Sequence, residues 1–208
     1  MIVDHLDPIE LSEEIVSAHK NELHSLAYLS QGMDFLFRQV KTIEVKVAEQ
    51  VGDKQVLLFG NVPGYEWVPK GLVACTFHWY SVSACNFVRT IGWLGSDGST
   101  TKALDYVRRV LPSVYIWRNK VAAHFAITDP KSDDSPADLA ASVMFPIAYS
   151  DDAFITSPLT LAMSGGGSSS TSRSDMSWSL TKTHAELGER YWPEEHESMV
   201  GKETPEAT

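Results

Sequence analysis

An arginine, an asparagine and a histidine interrupt a helical, apolar pattern in the stretch Tyr115-Ile-Trp-Arg-Asn-Lys-Val-Ala-Ala-His-Phe-Ala126, at Arg118, Asn119 and His124. A guanidinium can grip a phosphate with two parallel hydrogen bonds, and an imidazole can take or give a proton near neutral pH. These are the groups from which a phosphate site that moves a proton can be built. The charge around them is distinctive. From Ser99 to Ile127 the chain carries Lys102, Arg108, Arg109, Arg118 and Lys120 against Asp105 alone, within a protein of formal net charge −10. Lys120, Arg108 and Arg109 are therefore the candidates to hold the substrate's phosphate. A solvated face on two adjacent helices would give the same run of charge.

On a helix, His124 lies four residues from Lys120, three from Val121 and seven from Trp117, and so shares their stripe. Arg118 is six positions back, about 120° around the axis. One helix alone does not put Arg118 and His124 on a single ligand face. A cleft running along the helix would, and so would a symmetric dimer in which a second copy supplies the other half. In the structural alternative, His124 is half-buried against a backbone carbonyl and Arg118 is a surface cation at a helix start.

The chain must fold in a way that positions these groups. At 208 residues and 43% hydrophobic composition it supports one sizeable core with appendages. The net charge argues against a general nucleic-acid coat, and no DNA-binding motif is present. Cys75 and Cys85 lie in the most apolar segment without Cys-x-x-Cys spacing, so they read as small buried hydrophobes rather than a disulfide framework or a zinc site. No metal or cofactor is expected. The N-terminal residues lack a basic start followed by an apolar run, which points to a cytoplasmic protein. Gly71 to Leu94 is long enough to invite a membrane reading, but Thr76, His78, Ser81, Ser83, Asn86 and Arg89 argue against a span.

Apolar spacing predicts a first helix over residues 10 to 29, with Ser12, Glu13 and Glu14 at its start. His19 and His24 within it are five apart, about 140° around the axis, and read as surface or boundary residues. After Gln31-Gly32 a second helix is expected to about Val51, although the alternation Ile43, Val45, Val47 also permits a strand. Val56 to Phe59 is a short apolar piece. Pro69 then opens a helix to Leu94, apolar nearly all round and expected at the buried centre. His78, Asn86 and Arg89 must there find a partner or line a cleft. Thr100 or Thr101 caps a helix to Leu111, Pro112-Ser113 separates it from the motif helix, and a short helix is expected from Ala137 to Met144. Phe154-Ile155, Leu159 to Met163 and Met176 to Thr181 read as strands of a β-hairpin laid on the helices, with Ser164 to Ser172 as a flexible connector. That glycine run lacks the Lys-Ser/Thr of a phosphate loop. The expected organisation is a mainly α, antiparallel bundle of four or five helices over 1–145, a hairpin-like extension over 146–193, and a disordered acidic tail over 194–208.

Arg118-Asn119 followed by His124, late in such a set of helices, resembles the signature of the HEPN superfamily, in which an arginine and a following polar residue precede a histidine by four to six positions. The resemblance implies a helical bundle that dimerises so that both motifs line one cleft. It implies a metal-independent endoribonuclease, with His124 as general base on the ribose 2′-hydroxyl, Arg118 stabilising charge on the phosphate and Asn119 orienting one of them. RNA or a nucleotide would then be the partner, and the protein a homodimer. Ala126 stands where one subgroup carries a tyrosine two places after the histidine. A non-catalytic helical protein of similar fold, binding a nucleotide, RNA or a protein, is the alternative.

Overall fold

The computed structural model describes residues 13–52, 54–58, 63–122, 142–144, 146–156, 159–164, 167–172 and 174–192. The chain is mainly helical. A short helix α1 (Glu13–Ala18) gives way at His19, where the backbone leaves helical geometry, to α2 (Lys20–Val51), 32 residues and about 48 Å long. The expected break at Gly32 does not occur. Leu26, Met33, Val40, Glu44, Val47 and Val51 keep one buried stripe in step across it, and Gly32 itself faces open space. Packing along that stripe outweighs the roughly 1 kcal/mol that a glycine costs a helix. The strand alternative at Ile43 to Val47 fails for the same reason: Val47 is buried while Val45 is exposed. Gly52 ends the helix with φ of +57°, a conformation open to glycine.

Strand β1 (Val56–Leu58) follows, then α3 (Lys70–Leu94), which buries Val73, Phe77, Tyr80, Ala84, Val88 and Ile91 against its neighbours. It is not buried all round. Leu72, Cys75, Trp79, Asn86 and Arg89 face outward, so Cys75 corrects the expectation of two buried thiols, while Cys85 meets it. Helix α4 (Thr100–Val110) is capped by Ser99, whose hydroxyl accepts from the Lys102 N–H at 3.4 Å, one position before the expected Thr100 or Thr101. It packs closely on α3. A Cβ at Gly92 would sit 2.8 Å from the Tyr106 ring, so the absence of a side chain there sets the approach of the two helices. Pro112 does separate α4 from the motif, but by starting α5 (Pro112–Trp117) at its first-turn position.

Among the described residues, two antiparallel sheets accompany the helices. In the first, β1 pairs with β3 (Ile147–Ser150), β3 with β4 (Ala153–Thr156), and β4 with the two-residue β7 (Trp178–Ser179). Asp151 and Asp152 make the β3–β4 turn with φ of 50° and 60°, the left-handed pair a tight hairpin turn requires. Residues from both sides of the expected boundary at 145/146 thus share one sheet. In the second, β2 (Ser142–Met144) and β6 (Gly167–Ser172) flank β5 (Leu159–Ser164).

Three expectations are corrected here. Ser142 to Met144 is strand, not the end of a helix, because it pairs with the apolar β5. From Gly167 to Ser172 the serine-rich run is a strand rather than a free connector, since every residue there is registered on β5. The strand expected over Met176 to Thr181 shrinks to Trp178–Ser179. Ser179 then caps α6 (Leu180–Tyr191), accepting from the Lys182 N–H at 3.3 Å, and Leu180, Thr183, His184 and Leu187 face inward. The tail over 194–208 lies outside the described residues.

Candidate functional site

Arg118 opens a single π-helical turn, Arg118–Ala122, at the end of α5. Trp117 and Val121, four residues apart, are both buried and pin the turn to the core, while Arg118 and Asn119 sit half-buried at its rim. Isolated π turns replace the compact α-helical ladder with a wider one and are frequent where a helix carries a functional group. Here the turn brings neighbouring side chains together: Arg118 Nη1 donates to Asn119 Oδ1 at 2.8 Å. That bond uses one of the five guanidinium N–H groups and fixes the direction of the fork. The guanidinium also lies close enough to α3 for its charge to act on Cys85. Burial pushes that thiol up to about 12, and the Arg118 charge works against the shift.

The remaining expected residues divide. Arg108 pairs with Asp105 at 3.2 Å and lies 5.5 Å over the Tyr115 ring, so it reaches toward α5 three residues before Arg118. Arg109 lies 5.5 Å over Tyr106 instead. Both are in the last turn of α4, where cations favour the helix dipole. Lys120 is on the π turn itself. His124 lies outside the described residues.

The structure also assembles polar groups that spacing did not single out. Glu44, 1% exposed on the apolar stripe of α2, accepts from the Phe154 N–H and from Thr181 Oγ1, each at 2.7 Å. The reason is topological. Strand β7 pairs with Ile155 and Thr156 of β4, and the next position in register, opposite Phe154, is Leu180, already the first residue of α6. The Glu44 carboxylate fills the ladder position that the chain vacates. Burial raises its pKa to about 7 from an ordinary 4.5, against the lowering effect of both hydrogen bonds and of Lys41, with Asp152 adding to the rise. The signal was legible: a carboxylate in step with Val40, Val47 and Val51 is a polar group on a core face.

Nearby, His184 of α6 stacks on Phe37 with ring centroids 4.3 Å apart, and its Nδ1 lies 3.0 Å from Tyr80 Oη. Phe77, Trp117 and Trp178 continue this aromatic seam toward the π turn. His78 stands 4.9 Å from Trp117, and burial lowers its pKa, so its imidazole is neutral at physiological pH. The gap bounded by Ala74, Phe77, His78, Trp117, Ile147 and Thr156 has no room for a water molecule and is a packing defect rather than a ligand site. Among the described residues, no group of three His, Cys, Asp or Glu side chains is placed to hold a metal ion. Among them, too, no helix is long and apolar enough to cross a membrane.

No family model, no curated protein and no solved structure matches the chain. The chemistry of its own residues therefore carries the functional reading.

Proposed function

We propose that the protein is a HEPN-like, metal-independent endoribonuclease whose helices act as an antiparallel bundle and whose site is shared between two copies. The observation that carries this reading is the Arg118–Asn119 pair, bonded at 2.8 Å on a π turn and held at the rim by buried Trp117 and Val121. A guanidinium oriented before substrate arrives loses little freedom on binding and is suited to charge that develops in a transition state.

In this mechanism His124 removes the proton of a ribose 2′-hydroxyl and the 2′-oxygen attacks the adjacent phosphorus. The bond from phosphorus to the 5′-oxygen breaks, that oxygen is protonated, and a 2′,3′-cyclic phosphate remains. Arg118 neutralises the non-bridging oxygens and Asn119 keeps the guanidinium in place. Arg108 and Lys120 extend the positive field along the RNA backbone. The second copy brings a second Arg118 and His124, so the two groups need not come from one face of one helix.

The test is cleavage of a mixed pool of labelled RNAs with EDTA present. The native protein is expected to leave cyclic phosphate ends, and His124→Ala is expected to lose about 10²–10⁴-fold in rate while remaining folded. Folded, dimeric protein that leaves every RNA intact would remove the nuclease reading. A non-catalytic nucleotide, RNA or protein binder would then be favoured.

A further inference from the structure

A cleft of about 350 Å³ opens between the first turn of α2, the last turns of α3 and the start of α4, lined by Glu22, Asn86, Arg89, Thr90, Trp93 and Thr100. Its volume is at the small end of the range for small-molecule sites. Asn86, Arg89, Thr90 and Trp93 are spaced by three, four and seven on one rigid helix and share a stripe facing the space. Arg89 is in no ion pair among the described residues, whereas Arg38 and Arg108 are paired with Asp34 and Asp105. Among the described residues no acceptor takes its donors, which leaves them for a carboxylate beside the Asn86 amide.

The other lining groups are of opposite character. Glu22, 3.8 Å from His19, supplies a carboxylate. Thr90 donates its hydroxyl hydrogen to the Asn86 carbonyl at 2.9 Å, so toward the cleft it offers only lone pairs. Trp93 is flanked on both sides: the His19 ring meets it edge-on at 5.3 Å, and its indole lies against the backbone at Gly98. An indole attracts both an apolar side chain and an ammonium group.

From this we infer that the cleft binds a zwitterion of the α-amino-acid type with a bulky apolar or aromatic side chain. Arg89 and Asn86 take the carboxylate, Glu22 and Thr90 take the ammonium, and Trp93 takes the side chain. One cation and one anion lining one cleft suit a ligand with no net charge and disfavour a phosphate dianion, which would meet Glu22. The inference is independent of the Arg118 reading.

Calorimetric titration with phenylalanine, phenethylamine and 3-phenylpropionate tests it, the last two each lacking one charge. Phenylalanine is expected to bind with Kd of about 0.1–1 mM, and either analogue about tenfold or more weakly. Arg89→Gln is expected to weaken phenylalanine by about tenfold and leave phenethylamine unchanged, and Glu22→Gln to weaken phenylalanine while leaving 3-phenylpropionate unchanged. Circular dichroism melts establish that both variants are folded. If neither phenylalanine nor leucine saturates the protein by about 10 mM, if AMP binds in preference to both, or if both variants bind phenylalanine as the native protein does, the inference is overturned.

Discussion

The Arg118–Asn119 turn and the Glu44 junction each place charged and amide or hydroxyl groups within 2.8 Å of one another, yet the two regions do opposite things with them. At the π turn the bond joins sequence neighbours and uses one of the five guanidinium N–H groups. At Glu44 both carboxylate oxygens are consumed by the fold, one by β4 and one by α6, residues 110 and 137 positions away. Spare hydrogen-bonding capacity at a half-exposed rim is available for chemistry. Saturated capacity in a dry interior specifies how three elements meet.

The contrast predicts that function and stability separate cleanly between the two regions. The largest effect is expected on cleavage: Arg118→Ala should lower the RNA cleavage rate by about 10²–10³-fold while moving the unfolding free energy by no more than about 1 kcal/mol. Equal losses in both would make Arg118 a structural group. Next, Glu44→Ala should destabilise the fold by about 3–5 kcal/mol, since it leaves the Phe154 N–H buried without a partner and opens a cavity. Urea unfolding reads this directly, and a change under about 1 kcal/mol would mean that water replaces the carboxylate.

The pH dependence follows from the direction of the Glu44 shift. Its folded pKa, about 7, lies above the ordinary value of 4.5, so the folded state holds the proton more tightly. Its contribution to stability is fully present below about pH 4.5 and is lost as pH rises to about 7, by an amount on the order of 3 kcal/mol. Glu44→Gln keeps an acceptor for Phe154 and a donor for Thr181 without the titration. Between pH 5 and 8 its stability should therefore be flatter than that of the native protein, and parallel curves would assign the titration elsewhere.

Smaller effects test the packing that connects the regions. Gly92→Ala should cost about 1–3 kcal/mol, because the Tyr106 Cβ as well as its ring stands within 3.0 Å of the added carbon and cannot simply rotate away. Tyr191→Phe, which removes the 2.9 Å bond between Tyr191 and Tyr106 hydroxyls, should cost about 1 kcal/mol in thermal melts.

Much of the helical region was legible. The stripes of α2, α3 and α4 follow apolar spacing, and Pro69, Gly95 and Pro112 fall at or beside helix ends. Errors arose where local composition and long-range pairing disagree. Ser168 to Ser172 carries no apolar pattern of its own and becomes a strand only because β5 offers it a ladder. Leu180 to Tyr191 reads weakly from either side, since Trp178 and Ser179 belong to a strand and Thr181 to Glu189 to a helix, with Ser179 serving as last strand residue and as cap. For the candidate site, the adjacency of Arg118 and Asn119 was legible, whereas their mutual bond was not: it depends on a π turn that no periodicity announces.

The sequence by itself determined the helical class, the end of α2, the bounds of α3 and α4 and the identity of the groups able to do chemistry, because these depend on residue type and on spacings of three and four. Only the tertiary structure decided which of those groups are engaged. That Arg108 lies on Tyr115, that Arg89 and Glu22 share a cleft, and that Glu44 completes the sheet beside Phe154 are contacts between segments distant along the chain or turned by one another's packing. Burial and hydrogen-bond partners come from the whole fold, and they set whether a charged side chain is a tool or a tie.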